Sequence, residues 1–462
     1  MGRLHLQIHR LNRWVLLVGL VLAAPGVAVA QAASRPFGTL REQAEIQQAW
    51  LAERLSTTLP RLMRQYDVDM WVIPMREYHE DPVFRSMVSP TTFAARRRTI
   101  YVFFDRGAER GVERIALGGS SQGGLYEAVR TTTKVDAAVA GENAELWGDQ
   151  QWEVLKQVLE ERNPKRIAVN TSRVWAFADG LSSGELDGMQ ASLDAKWTSR
   201  FVPAEGLAVD FIARRLPEEE GFYSRLQALV WDLIGEMFSE RVITPGETRT
   251  SDLVWWWRQQ VNDLGLGTWF QPSMEVQREG ASDQSLGTDP VIQRGDVLHC
   301  DVGITALGLN TDTQHMAYVL RVGETDAPAG LRKALANSNR LQDLLFEETR
   351  GGRTGNEILT ATRGRMQSES LNGTVYSHPI GVNGHGAGPL IGLWDYQEGV
   401  PGRGDHPVIT NMWYSSELQV TTPIPEWNGQ PVRMAQEEDF FVGPEGRPRW
   451  AHRRQSVLHL IH

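Results

Sequence analysis

The segment DVGITALGLNTDTQHM, residues 301–316, sets Asp301 and Asp312 eleven positions apart across a glycine-bearing turn. Alternation along the preceding run puts His299, Asp301 and Gly303 on one face of a strand and Leu298, Cys300 and Val302 on the other. A turn through Gly308-Leu309-Asn310 folds the chain back, so Asp312 comes beside Asp301 on a neighbouring strand. Two carboxylates held that close repel unless a cation neutralises both. Further along, His385 stands among glycines in GHGAGP, 384–389, where glycine permits close backbone approach. Glu417 in YSSELQV and Glu437 in RMAQEEDFFV each sit in a β-type segment. Two Asp, one His and two Glu make a set of oxygen donors plus one imidazole. That set suits a pair of Mn, Fe, Co or Zn ions. Bridging carboxylates would hold the two ions roughly 3.5–4 Å apart, the spacing of two-metal hydrolases.

The elements that must position these residues fall into two halves. From Leu40 to Val68 the apolar positions Leu51, Leu55, Leu59 and Leu62 recur with helical period. Short β-type runs follow at 69–75, 99–105, 114–119 and 166–172, with a helix predicted over 152–163. That alternation reads as an α/β domain with a covered sheet. The charged break RRLPEEEGF, 214–222, is the boundary. After it, Leu226, Leu229, Val230, Leu233, Ile234, Met237 and Phe238 mark an amphipathic helix. A second helix, LVWWWRQQVNDLG, is stopped by Gly265, a third runs from Leu331 to Thr349, and a fourth starts at the capping-box sequence Thr354-Gly355-Asn356-Glu357. Three consecutive tryptophans, Trp255 to Trp257, must face different directions on one helix and are read as packing.

The remaining features bound the class. The chain has 462 residues, 41% hydrophobic and 23% charged, enough for two or three ordinary globular domains. Its net charge of -10 carries no basic block beyond Arg96-Arg97-Arg98, so nucleic acid is not the expected partner. Arg3, Arg10 and Arg13 precede an apolar run from Trp14 and the small-residue pattern Ala28-Val29-Ala30. This is the layout of a cleaved secretory signal over 1–30, which makes the mature protein exported, periplasmic or secreted, with no membrane span. The single cysteine, Cys300, forms no internal disulfide and is read as a small buried hydrophobe. Arg403-Gly404-Asp405 matches an adhesion tripeptide, but it lies in a glycine-rich loop and the match is read as a coincidence.

The order Asp, eleven-residue step, Asp, then GHGxG, then Glu, then Glu-Glu-Asp resembles the pita-bread metallopeptidase family of Xaa-Pro aminopeptidases, prolidases, methionine aminopeptidases and creatinase. The likeness covers about 216–455. It implies an α/β N-terminal domain of creatinase type over 31–215 and an α+β pita-bread C-terminal domain over 216–462. It also implies two divalent metal ions: Asp301 on one, Asp312 and Glu437 bridging, His385 and Glu417 completing the second. Glu437 rather than Glu438 keeps the family's distance to Val442 and Gly446. The implied substrate is a short peptide, with Glu417 as proton acceptor; a homodimer closing the cleft is compatible with this.

Two family histidines have no counterpart in that alignment. None stands in EGASDQSLG, about seventeen residues before Asp301, and Gly392 occupies the position seven after His385. The family's arginine after the second Asp is replaced by His315. His315, His378 and Asp395 are the candidates to take over, and His378, seven before His385, is the best placed. Alternatives on the same fold are hydrolysis of a non-peptide C–N bond, lyase chemistry, or a non-catalytic metal-binding protein.

Overall fold

Thr39 opens the first helix, Leu40–Glu53, with a reciprocal cap: its hydroxyl accepts from the Glu42 amide while its own amide donates to the Glu42 carboxylate. The structure is a computed structural model describing residues 35–130 and 149–462; the signal-like stretch 1–30 lies outside them. The helix passes through one π-helical turn, Arg54–Thr58, into Leu59–Gln65. Its apolar stripe, Leu51, Leu55, Leu59 and Leu62, packs with Trp71, Phe103 and Phe211.

Beneath it lies a six-stranded sheet of β1 (Met70–Arg76), β2 (Arg98–Asp105), β3 (Val112–Leu117), β4 (Glu127–Val129), β5 (Ile167–Val169) and β6 (Phe201–Pro203), in the order β4-β3-β2-β1-β5-β6. Side chains of β1 and β2 alternate between two cores. Trp71, Ile73, Tyr101 and Phe103 face the first helix, while Met70, Val72, Ile100 and Val102 meet Trp152 and Leu155 of helix Gln150–Arg162. Both faces are therefore covered, and the central strands read as continuous apolar runs.

Helix Glu205–Ala213 leads to helix Pro217–Met237, which takes proline at its first turn and places Glu218, Glu219 and Glu220 where the helix dipole favours negative charge. Helix Thr250–Asp263 ends at Gly265, whose φ of +68° glycine adopts without strain. Its tryptophans do face different ways: Trp257 is buried and Trp255 is exposed.

Two further sheets follow. The first comprises β7 (Ser273–Gln277), β8 (Val297–Val302), β11 (Thr313–Val319) and β17 (His459–Ile461), in the order β17-β11-β8-β7. A two-stranded hairpin, β9 (Thr305–Ala306) and β10 (Leu309–Asn310), connects β8 to β11. Its turn residues Leu307 and Gly308 both have positive φ, the requirement of a tight hairpin that matches strand twist. The second comprises β12 (Gly373–Ile380), β13 (Met412–Ile424), β15 (Asp439–Val442) and β16 (Pro448–Trp450), with β14 (Gln430–Gln436) also paired to β13. Helices Ala329–Glu348 and Gly355–Ser368 cover its outer side. The two sheets join where Gln314 and Glu437 exchange backbone hydrogen bonds at 3.0 and 3.1 Å. That joint carries one pair of carboxylates toward another. No described helix is long and apolar enough to cross a membrane.

Candidate metal centre

Asp301 ends the exposed-to-site face of β8, and Asp312 immediately precedes β11, its antiparallel neighbour. Glu417 lies in β13, and Glu437 just before β15. His378 lies in β12, opposite Ser415 of β13. Donor atoms of Asp301, Asp312 and Glu437 lie within 4.8 Å of one another, and so do those of His378, Glu417 and Glu437. A third such group is Asp312, His378 and His385. Six side chains separated by up to 136 positions thus converge on one place.

The histidine assignment of the sequence needs a correction. His378, not His385, is the imidazole set among the carboxylates. Its Nε2 is 3.2 Å from Glu437, 3.7 Å from Asp312 and 4.0 Å from Glu417, and the side chain is fully buried. His385 is exposed at the rim, its ring 4.7 Å from that of His378 and nearly perpendicular to it. The motif to align is therefore H-P-I-G-x-x-x-H, with His378 in the ligand position. His385 then occupies the place seven residues later that had looked vacant. The glycines around GHGAGP misdirected the reading; Gly384 is there because Trp269 lies against it, with a Cβ meeting that ring at 2.3 Å.

His315 belongs elsewhere. Strand alternation turns it to the opposite face of β11, where it is buried with Nε2 2.9 Å from Glu438 and Nδ1 3.0 Å from His459. Glu438 also accepts from Trp231 Nε1 and the Gln455 amide, so it is held away from the cluster as well. Asp395 is exposed on a loop. Cys300 is buried among apolar side chains on the face opposite Asp301, and burial pushes its thiol well up.

Residues the sequence reading passed over complete the site. Gln314, two positions past Asp312 on the same face, donates to Glu437 at 2.7 Å and Glu417 at 3.1 Å. Its carbonyl oxygen lies 3.0 Å from His299 Nε2. Asp439 accepts from the Asp312 amide, the Tyr223 hydroxyl and the Gln227 amide, tying the end of Asp312's loop to helix Pro217–Met237. Trp269 donates from Nε1 to the Thr311 carbonyl and packs edge-on against His385. Alternation could have found Gln314; nothing local marked Trp269.

The Arg403 guanidinium has no hydrogen-bond or ion-pair partner among the described residues. Its guanidinium faces the Trp175 ring, and its charge is felt by Tyr376, His378 and His385. Arg403 therefore contributes a cation to the site's rim.

The electrostatics test whether these residues fit a metal. Burial, reinforced by Glu437, pushes Asp301 up to about 7 and Glu417 well above the ordinary range. Burial likewise raises Asp312 strongly and Glu437 to about 7. Asp301 Oδ1 and Asp312 Oδ1 are buried without a hydrogen-bond partner. His378 Nδ1 lies 3.1 Å from the Pro379 carbonyl, which can only accept, so the ring proton sits on Nδ1. Burial lowers its pKa, keeping the ring neutral. An imidazole lone pair then faces three carboxyl groups, an arrangement favourable only with protons or metal cations between them. The donors fit divalent metal ions: Asp301, Asp312, His378, Glu417 and Glu437 would hold them.

Residues 228–443 match the model of metallopeptidase family M24. The C-terminal half belongs to metallopeptidase family M24. An X-Pro aminopeptidase from Thermotoga maritima MSB8 is similar in structure, with a TM-score of 0.58 and 15% identity, covering 87% of this chain and 99% of that one. The dipeptidase PepE from Mycobacterium ulcerans matches with a TM-score of 0.56 and 15% identity over 89% and 98%. The N-terminal domain of the FACT complex subunit SPT16 from Cicer arietinum matches with a TM-score of 0.55 and 11% identity over 90% and 99%. At such identities the likeness is one of fold. The M24 half has the pita-bread fold, preceded by an α/β domain. No curated protein matches the chain.

Proposed function

We propose that this M24 protein is an exported exopeptidase that uses two divalent ions to cleave short peptides, with Xaa-Pro peptides as the first substrate class. The observation that carries the reading is His378 Nε2, its lone pair aimed at Glu437, Asp312 and Glu417. The names of the X-Pro aminopeptidase and dipeptidase neighbours supply the substrate class. Export rests on the signal-like residues 1–30.

When bound, the metal ions would supply Lewis acidity toward water and toward a carbonyl oxygen. The chain's own residues do the rest. Glu417 is one-quarter exposed, at the open edge of the cluster, where it can accept a proton and return it to the departing nitrogen. His385 reaches the surface, yet the protein packed around its ring and neighbouring His378 lower its pKa to about 4, so the neutral ring can donate a hydrogen bond to a substrate oxygen without adding charge. Arg403, unpaired at the rim, is suited to a peptide's free carboxylate. Gln314 holds the Glu417 and Glu437 carboxylates in one orientation.

A second reading has one observation behind it. No histidine occupies the stretch about seventeen residues before Asp301, where Asp283–Leu286 forms a short helix. That favours a substrate other than an ordinary peptide, a non-peptide C–N bond for instance. Elemental analysis of the purified protein, paired with an Xaa-Pro panel in added Mn, Co or Zn, tests both. Metal-dependent turnover of Xaa-Pro dipeptides supports the first reading; bound metal without turnover removes it.

A further inference from the structure

A cavity of about 620 Å³ lies where the first helix and its π turn meet the β9–β10 hairpin. None of the six cluster residues lines it, although Trp269 and Gly384 do. Its charged lining is Arg54, Arg85, Arg215 and Glu219, three cations against one anion. Arg54 and Arg215 are both buried. Arg54 donates to the carbonyls of Phe211 and Arg214, and Arg215 to that of Ile212, so both cap the end of helix Glu205–Ala213. Glu219 is already engaged by Arg215 and by the Leu216 amide.

Positive charge is left over. Arg215 Nε is buried with no partner. Arg85, exposed at the mouth, has no hydrogen bond or ion pair among the described residues. Burial and the nearby Arg215 push Arg54 down to about 9, the mark of two cations crowded together out of water. Arg54 is also the first residue of the π turn, a backbone distortion that recurs at functional sites. The uncharged wall includes the aromatic rings of Trp50 and Trp269. The volume is in the range of small-molecule sites, roughly 300–1,000 Å³.

We propose that this cavity binds a small carboxylate bearing an apolar group, of the chemical class of N-acylated amino acids. The carboxylate is held by Arg85 and Arg215 and the apolar part rests on Trp50 and Trp269. The site is separate from the metal centre and does not depend on the peptidase reading. It is coupled to that centre through Trp269, which touches His385.

The test uses the full chain, stripped of metal, titrated calorimetrically with N-acetylphenylalanine and with its neutral amide. The acid should saturate below about 1 mM and the amide should bind at least about tenfold more weakly. Arg85→Gln, at an exposed and unpaired position, should weaken the acid about tenfold, leave the amide unchanged and leave the melting temperature unchanged. Restoring saturating Mn, which fills the metal centre, should leave acid binding intact. Equal affinity for acid and amide overturns the proposal, as does an Arg85→Gln variant that binds the acid normally. Absence of saturation by about 10 mM acid overturns it too. Acid binding that appears only once Mn is restored would assign the carboxylate to the metal centre instead and overturns the proposal.

Discussion

Replacing Asp301 with Asn should stabilise the metal-free protein at pH 8 and destabilise the metal-loaded one. Burial and Glu437 push the Asp301 carboxyl from 3.8 to about 7. Between those values the folded state holds a proton that the unfolded chain has released. A raised acid pKa favours folding below the unfolded value, and that advantage is lost as pH rises through the folded value. The span is roughly three pH units at about 1.4 kcal/mol each, so ionising Asp301 in the metal-free cluster costs on the order of 4 kcal/mol by pH 8. Asn has nearly the same volume and does not titrate. His315, His378 and His385, whose lowered pKa values act in the opposite direction, are common to both proteins and cancel in the comparison. One kcal/mol moves the melting temperature of a unit this large by about 1–2 °C. Metal-free Asp301→Asn should therefore melt several degrees above wild type at pH 8 and close to it at pH 4. Saturating Mn or Zn should reverse the order at pH 8, because only wild type keeps the full donor set. Calorimetric melts at the two pH values, with chelator and with metal, decide it. A metal-free variant no more stable than wild type at pH 8, or one that gains as much from metal, refutes the claim that these carboxylates are held for a cation.

Other substitutions separate roles within the site. His378→Ala should lose bound metal by elemental analysis, whereas His385→Ala should keep it and lose turnover by about 10²–10⁴; the opposite pattern would restore His385 as the ligand. Gln314→Leu removes both amide donations to Glu417 and Glu437 and should weaken metal binding by about 10–100-fold in chelator competition. Arg403→Gln should raise KM for peptides with a free C-terminal carboxylate and leave C-terminally amidated ones unaffected; equal effects on both would remove Arg403 from substrate recognition. His315→Ala should lower stability by about 2–4 kcal/mol, because it leaves buried Glu438 and His459 without their partner, while turnover per folded molecule stays within about twofold.

Local chemistry made much of this protein legible from its residues in order. The helix starts at Thr39 and Thr354 depend on side chains three positions away, so a short window contains the whole interaction. The two-sided burial of β1 and β2 follows from runs with no polar face. Strand period also sufficed to put Asp301 on the face opposite Cys300, and the eleven-residue step to Asp312 spans one hairpin.

Tertiary structure decided what no window contains. His378 and His385 are both histidines near glycines, and which one enters the carboxylate cluster depends on β12 pairing with β13 in the register that sets His378 opposite Ser415. Glu437 and Glu438 are adjacent, and only the Gln314–Glu437 bridge between two sheets determines which one turns inward. Strand alternation from Asp312 already turns His315 to the other face; what the sequence did not show is its partner there, Glu438, 123 positions away. Arg403 and the arginine-lined cavity could not be seen at all, since they arise where segments from the two halves of the chain meet. Side-chain type and short spacing carry the donor chemistry; long-range strand pairing, which pays its entropy only when the whole fold closes, selects the atoms that meet.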